Sequence, residues 1–283
     1  MTTTKFRNIS DTALWVATYR AWESERPDAL FHDPFARRLA GERGEQLAAA
    51  MPAAGRHAWS YTARTWLSDQ FIAKLVAAGA DTVVNLAAGL DTRPYRMQLP
   101  PSLRWVEVDL PELLAYKQQI LEKEKPVCRL EQVPLDLTNV KARQELFQRL
   151  GRVAKNAVIV TEGLTIYLTE EQAASLARDL AQPVSFHHWI MDLTSPALLK
   201  MLQKMIGSTL GEAGSPLTFA PREGPAFFLP QGWKPLEAIS LLHTAARLKR
   251  LTFWMRLAAL FPDAKGKKPD RPWGGMILLE RAA

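Results

Sequence analysis

The 283-residue sequence predicts an α/β protein built on a doubly wound, mostly parallel sheet, with a helical region ahead of it. Three observations carry that reading. Short β-branched runs recur from residue 82 onward as TVVNLA, LRWVEVD, VCRLEQVPLD, AVIVTEG and SFHHWIMDL. Helical stretches separate them, among them ELLAYKQQILEKE, NVKARQELFQRL and EEQAASLARDLA, and strands spaced by helices of roughly 10 to 15 residues mark βαβ units. The composition, 47% hydrophobic and 23% charged with a single Cys, is that of a folded chain that buries a large core without disulfides.

The elements follow in order along a single domain. Residues 1–79 read as a helical cap. Ser10 and Asp11 stand at capping positions before ALWVATYRAWESE; Asp33-Pro34 opens DPFARRLAGERGEQLAAAM, with Pro where a first turn tolerates it. A third helix, around HAWSYTARTWLSDQFIAKLVAAGA, stops at Gly79. The α/β core is expected over 80–193 and 233–283, the latter resuming with a helix from about Lys234 and closing on the strand WGGMILLER. Between them, 194–232 holds a helix and then a stretch punctuated by Gly and Pro that breaks the alternation. It is expected to be a lid or substrate insertion above the sheet, with Phe219, Phe227 and Phe228 suggesting an apolar pocket.

Charge and composition exclude several classes. The formal charge is +7, and residues 247–271 concentrate it, with eight basic side chains and two acids. Such a patch suits nucleic acid, an anionic membrane surface or an acidic substrate, but charge runs are most commonly solvated faces, which disfavours a nucleic-acid partner. The best candidate for a membrane span, LLHTAARLKRLTFWMRLAALF, contains Arg247, Lys249, Arg250 and Arg256 and is rejected. The start MTTTKFRNISDTALW lacks the pattern of a secretory signal, and Cys128 has no partner for a disulfide, so a reducing, cytoplasmic setting is expected. The five histidines, His32, His57, His187, His188 and His243, show no metal-ligand spacing, so no metal is implied, and no G-x-S-x-G elbow is present.

In an open α/β sheet, ligands bind beyond the carboxyl ends of the strands. There the chain places Ala87-Ala88-Gly89-Leu90-Asp91-Thr92, then Asp109, Asp136 and Glu162 after successive strands. Asp109 lies 20 residues beyond Gly89, where a carboxylate grips the ribose hydroxyls of a nucleoside cofactor by accepting two hydrogen bonds. A strand-end Asp also caps helices, as Asp109 is placed to do before Leu110-Pro111-Glu112. Neither G-x-G-x-x-G nor a P-loop is present, which disfavours phosphate-rich cofactors. S-adenosylmethionine, with its sulfonium cation, amine and adenosine and no phosphate, suits acidic strand ends.

The strings NLAAGLDTRPYRM (85–97), WVEVDLPELLAYK (105–117), PLDL (134–137) and EGLTIYL (162–168) resemble, in this order, the leucine carboxyl methyltransferase family, particularly its bacterial branch of S-adenosylmethionine-dependent O-methyltransferases. DTALWVATYRAWESERPDALFHDPFARRLAG (11–41) and the closing WGGMILLER extend the resemblance over nearly the whole chain. It implies the class I methyltransferase (Rossmann-like) fold and S-adenosyl-L-methionine as cofactor. By motif it implies that Arg64 holds the cofactor carboxylate, Gly89 lies beneath the methionine portion and Asp109 holds the ribose. Asp136 and Leu137 would hold adenine, and Glu162 would face the amino group. One departure is visible: Ala87 stands where the family carries Gly, so its methyl either narrows the approach to the methionine moiety or forbids a positive φ.

The resemblance implies methyl transfer to a carboxylate or hydroxyl of a small-molecule acceptor. A carboxylate needs no general base, and none stands out; His187 and His188, adjacent in the fifth strand, read as packed histidines on opposite faces. Tyr167, matching a family tyrosine, and Arg20, a cation in the first helix, are the candidate acceptor residues. Two alternatives stay open: an RNA-modifying or nucleic-acid-binding protein using the basic C-terminal patch, and a nucleotide-binding module of the same fold without turnover.

Overall fold

A computed structural model describes residues 10–50, 58–212 and 214–282. His57 and Met51, at the edges of two expected helices, lie outside the described residues. Three helices come first: α1 (Ser10–Ser24), α2 (Ala36–Ala50, kinked at Gly41) and α3 (Ala58–Ala77). α3 stops as its glycine foretold. Gly79 takes φ +98°, and the amides of Ala80 and Gly79 bond the carbonyls of Leu75 and Val76, which satisfies the free end of the helix.

The core then alternates β1 (Thr82–Leu86), α4 (Arg93–Arg96), β2 (Arg104–Asp109), α5 (Pro111–Ile120), β3 (Arg129–Pro134), α6 (Val140–Val153), β4 (Ala157–Thr161), α7 (Glu170–Ala181) and β5 (Phe186–Thr194). After it come α8 (Pro196–Leu202), a π-helical turn (Gln203–Gly207), α9 (Ser208–Glu212), a 3₁₀ segment (Gly224–Gln231), β6 (Trp233–Ser240), α10 (Leu241–Arg247), α11 (Phe253–Ala258) and β7 (Gly274–Arg281). The seven strands form one sheet in the order β3-β2-β1-β4-β5-β7-β6. β1 to β5 pair in parallel, and β7 runs antiparallel between β5 and β6. From β1 the chain winds first towards β3 and then, from β4, the other way. The crevice beside the carboxyl ends of β1 and β4 is therefore the topological switch point where ligands bind.

β1 and β4 are buried along their whole length, as central parallel strands with helices on both faces must be. Alternation divides the side chains of β1, β2 and β4 between two cores. Val84, Val106 and Ile159 meet α6 and α7, while Val83, Trp105 and Val158 meet α3. A third apolar cluster lies above the strand ends, where Trp15, Tyr19 and Leu47 of the helical region touch Leu199 and Leu210.

Two expectations are corrected. The helix anticipated from about Lys234 is the strand β6. Its Pro235 cannot donate a ladder hydrogen bond, which an edge strand tolerates, and a register shift between Pro235 and Glu237 accommodates it. The segment 194–232 also divides in two. Its first part, through Leu217, faces the cavity described below, whereas Phe219, Phe227 and Phe228 are core residues packed edge-on among themselves and against Trp189, not pocket walls.

Candidate active site

The crevice opens into a cavity of about 1290 Å³, above the roughly 300–1,000 Å³ common for ligand pockets. Arg20, Arg64, Gly89, Asp109, Asp136, Leu137, Glu162 and Tyr167, all singled out from the sequence, line this one cavity. The chain brings them together from four strand ends and two helices of the N-terminal region.

At the end of β1, Ala87 takes φ +52° and Gly89 φ +55°. The turn therefore exists with an alanine in its first left-handed position, so the methyl of Ala87 does not forbid a positive φ. The Gly89 amide donates to Asp109 Oδ2 at 2.6 Å, and the Leu110 amide to Oδ1 at 2.7 Å. Asp109 is thus both brace and cap for the loops around it. Each carboxylate oxygen has a second acceptor direction, so two hydroxyls remain within its capacity. Burial pushes its carboxyl above the usual range, against those two backbone amides. A Cβ on Gly89 would lie 3.5 Å from the Ala13 methyl, so the bare backbone keeps the floor of the cavity open.

At the edge of the sheet, Asp136 is exposed and its Oδ1 accepts from the amide and hydroxyl of Thr138, both at 2.8 Å, which fixes the turn into α6. The Leu137 carbonyl accepts from Arg143 at 3.0 Å.

The other wall is an ionic network. Glu162 accepts from Arg64 Nε at 3.2 Å and from Arg93 Nη2 at 2.8 Å. Burial alone would raise its carboxyl, but the Arg93 and Arg64 guanidinium groups outweigh burial and hold it down at about 2. Arg64 also reaches Asp192 at 3.3 Å and lies over the Tyr61 ring. Asp192 in turn accepts from the Gly163 amide at 2.7 Å. Arg93 is the hub: buried, it also donates to Asp69 at 2.6 Å and to Asp91 at 2.9 Å. Asp91 is likewise held at about 2, burial being overcome chiefly by Arg93.

Asp69, Asp91, Arg93 and Asp192 are the site residues that sequence reasoning left without a role. Asp192 lies two residues before the end of β5, close to the strand end where the rule that found Asp109 applies. Arg93 stands in the LDTRPYRM string two residues past Asp91, where nothing in the string itself marks its role.

Arg20 lines the cavity, yet its guanidinium is engaged by Asp33 at 2.8 Å and the Leu90 carbonyl at 2.6 Å. Asp33 also accepts from Thr92 at 2.7 Å, so Arg20 ties α1 to the turn after β1. The Tyr167 hydroxyl is kept protonated by burial. Of the histidines, His243 lines the cavity, while His187 bonds Asn156 at 3.1 Å and lies, like His188, away from it. His243 Nε2 faces the Phe261 carbonyl at 2.9 Å and Nδ1 the Ser240 hydroxyl at 3.0 Å. A carbonyl only accepts, so Nε2 carries the proton and Nδ1 takes the hydroxyl hydrogen, leaving no free lone pair.

The described residues contain no cluster of His, Cys, Asp or Glu able to hold a metal ion, and no helix among them is long and apolar enough to cross a membrane.

Comparison with known proteins bears on the family and the fold. The leucine carboxyl methyltransferase family profile matches residues 13–181. A Frankia alni protein named "Putative S-adenosyl-L-methionine-dependent methyltransferase" is 33% identical over 245 residues, 80% of this chain and 84% of its own length. A Parafrankia protein of the same designation is 36% identical over 184 residues, 62% of this chain, and the match spans 59% of that relative. Among solved structures, a methyltransferase-like protein from Thermobifida fusca superposes with a TM-score of 0.60 at 15% identity, covering 98% of this chain and 96% of that one. A duf574 family protein from Streptomyces avermitilis gives 0.59 at 14% identity, covering 94% and 97%. These two share the fold.

Proposed function

The chain belongs to the leucine carboxyl methyltransferase family, and from that premise we propose that it is an S-adenosylmethionine-dependent methyltransferase acting on a carboxylate oxygen of a small-molecule acceptor. The observation that carries the carboxylate assignment is the absence, among the described residues lining the cavity, of a histidine with a lone pair to spare.

The residues present fit the cofactor. Gly89 leaves its backbone bare, Asp109 has acceptor capacity for two ribose hydroxyls, and Asp136 with Leu137, at the sheet edge of the cavity, would border the adenine. Glu162, ionised well below neutral pH, would face the amino group, and Arg64 the carboxylate. When bound, the cofactor supplies an electrophilic methyl on a sulfonium, which an acceptor oxygen takes as the carbon–sulfur bond breaks to leave the neutral thioether.

The chain's own part is alignment and exclusion of water. A carboxylate is ionised near neutral pH, so no proton has to move. A phenol or alcohol would have to lose one, and neither the protonated Tyr167 nor the fully engaged His243 is placed to take it. Arg20 serves on this reading as a strut of the Leu90 turn, and Tyr167 as a wall of the acceptor space.

The test has two arms. Calorimetry should show S-adenosylhomocysteine binding in the micromolar range with no binding of NAD; Asp109→Ala should weaken it at least tenfold, since each charge-assisted hydrogen bond lost costs about 1.5–3 kcal/mol. An unchanged dissociation constant with the fold intact would leave Asp109 a loop brace only. Screening organic acids and phenols with a labelled methyl donor should then yield a product that releases methanol in mild alkali, as an ester does and an ether does not. An alkali-stable product, or label on nitrogen or RNA, would overturn the carboxylate assignment.

A further inference from the structure

We propose that the outer face of α11 and the loop after it dock this protein onto a lipid bilayer carrying anionic headgroups. The proposal is independent of the acceptor's identity. It begins with a helix that is apolar on two sides. Met255 and Ala259 pack inward against the cluster of Ala63, Ala245 and Leu251. At about 100° per residue, Phe253, Trp254, Leu257, Leu260 and Phe261 fall within one arc of about 120° on the opposite side. The helix proper ends at Ala258, and the bonds from the Leu260 and Phe261 amides to the Leu257 and Ala258 carbonyls carry the winding on through that stripe.

All five side chains are exposed among the described residues. Their exposures are 66% for Phe253, 76% for Trp254, 43% for Leu257, 78% for Leu260 and 70% for Phe261. Single exposed apolar residues need no explanation, but a contiguous stripe marks an interaction surface.

The charge around the stripe selects the occupant. Arg247, Lys249, Arg256, Lys265, Lys267 and Lys268 are all exposed. Arg250, by contrast, is spent on Glu23 and Asp28. Of the two acids in the segment, Asp263 already accepts from the Trp273 indole and the Lys265 amide. An anionic bilayer meets both demands, since its headgroups neutralise the cations and its acyl boundary takes up Phe, Trp and Leu. A symmetric dimer through this face would bring two basic patches together. Nucleic acid would answer the cations and could stack on the two leading aromatics, but it offers nothing to Leu257 and Leu260. The surface also adjoins the cavity, because Met255, Ala258 and Phe261 contribute to its lining.

Flotation of the full chain with vesicles tests this directly. Vesicles of equal parts phosphatidylglycerol and phosphatidylcholine should carry the protein up the gradient, and phosphatidylcholine alone should carry at least tenfold less. Trp254→Ser with Leu260→Ser should cut partitioning to the mixed vesicles at least tenfold, and so should Lys265→Glu with Lys267→Glu and Lys268→Glu. Both variants should keep the wild-type melting temperature and its rise with S-adenosylhomocysteine, since none of the five residues lines the cavity. Failure of the wild type to float with the anionic vesicles overturns the proposal, as does flotation indifferent to the Trp254 and Leu260 changes. Sedimentation showing a dimer that those two changes dissociate would assign the stripe to a second copy. Binding to a duplex oligonucleotide that only the lysine changes abolish, without flotation, would assign the patch to nucleic acid.

Discussion

Ala87 holds a left-handed backbone in the turn that carries the candidate cofactor site, a conformation that costs an L-residue with a Cβ about 1–2 kcal/mol. Replacing it by Gly removes that strain but returns about 0.4–1 kcal/mol of unfolded-state entropy. Ala87→Gly is therefore expected to raise the unfolding free energy by roughly 0.5–1 kcal/mol in urea denaturation. A loss of stability would show that the alanine methyl makes a contact worth more than its strain. Arg93 makes the opposite case. Arg93→Met would leave Asp69, Asp91 and Glu162 buried without their shared cation, and breaking a buried pair costs about 3–5 kcal/mol, so urea curves should show a loss of at least that order. Arg93→Lys should recover little of it, because one ammonium cannot span three carboxylates as the planar guanidinium does. The contrast marks what the sequence could tell. Asp109 and Glu162 were legible because a strand-end acid follows an apolar run directly. Arg93 was not, because its importance lies in four groups that meet only after α3, β1 and β4 are assembled.

At the scale of elements, α7 opens on a local cap. Its Thr169 side chain accepts from the Gln172 amide while Gln172 reaches back to the Thr169 amide, a reciprocal cap. Thr169→Ala should cost about 1 kcal/mol of stability, measured by the shift of the urea midpoint at constant slope. Because the Thr169 cap directly follows Leu168, loosening the start of α7 also loosens the short 3₁₀ turn (Thr165–Tyr167) that presents Tyr167 to the cavity. Among the parallel strands, β1 and β4 were legible because a buried strand reads as a continuous apolar run, and the edge strand β3 because its apolar and polar residues alternate. β6 was not. Its burial alternates irregularly around a bulge, it lies at the sheet edge, and KPLEAISLL carries a helical pattern as readily as a strand's. What makes it a strand is β7 beside it, which starts 41 residues after β6 does. The aromatic segment around Phe228 misled for a related reason, since Phe in a Gly/Pro-rich stretch serves a pocket wall and a core plug equally well until Trp189 and Trp233 are seen beneath it.

Across the whole molecule, ionic ties hold the helical region over the sheet: Arg20 with Asp33 against the Leu90 turn, Arg64 with Glu162, Arg93 with Asp69, and Arg250 with Glu23. The cavity lies between the layers that these contacts join, so its integrity should follow the ionisation of its acids. Glu162 and Asp91 are held at about 2 in the fold, against roughly 4 for unpaired carboxyls in the unfolded chain. A carboxyl lowered by folding contributes stability that is fully present above its unfolded pKa and is lost as pH falls towards its folded one. Two acids work the other way. Burial raises Glu107, despite Lys117 at 2.7 Å, and raises Asp109, so their charged forms oppose folding and their protonation relieves it. The net slope in acid is the difference, and Glu162 isolates one side of it. Glu162→Gln keeps the shape and removes the titration, so it should be less stable than the wild type at pH 7 and should close that gap as pH drops from about 4 to about 2. Urea denaturation of both proteins at several pH values across this window measures the difference. Two curves that run parallel to the lowest pH would mean that Glu162 does not ionise against Arg64 and Arg93 in the folded protein, and the electrostatic account of this wall of the cavity would fall with it.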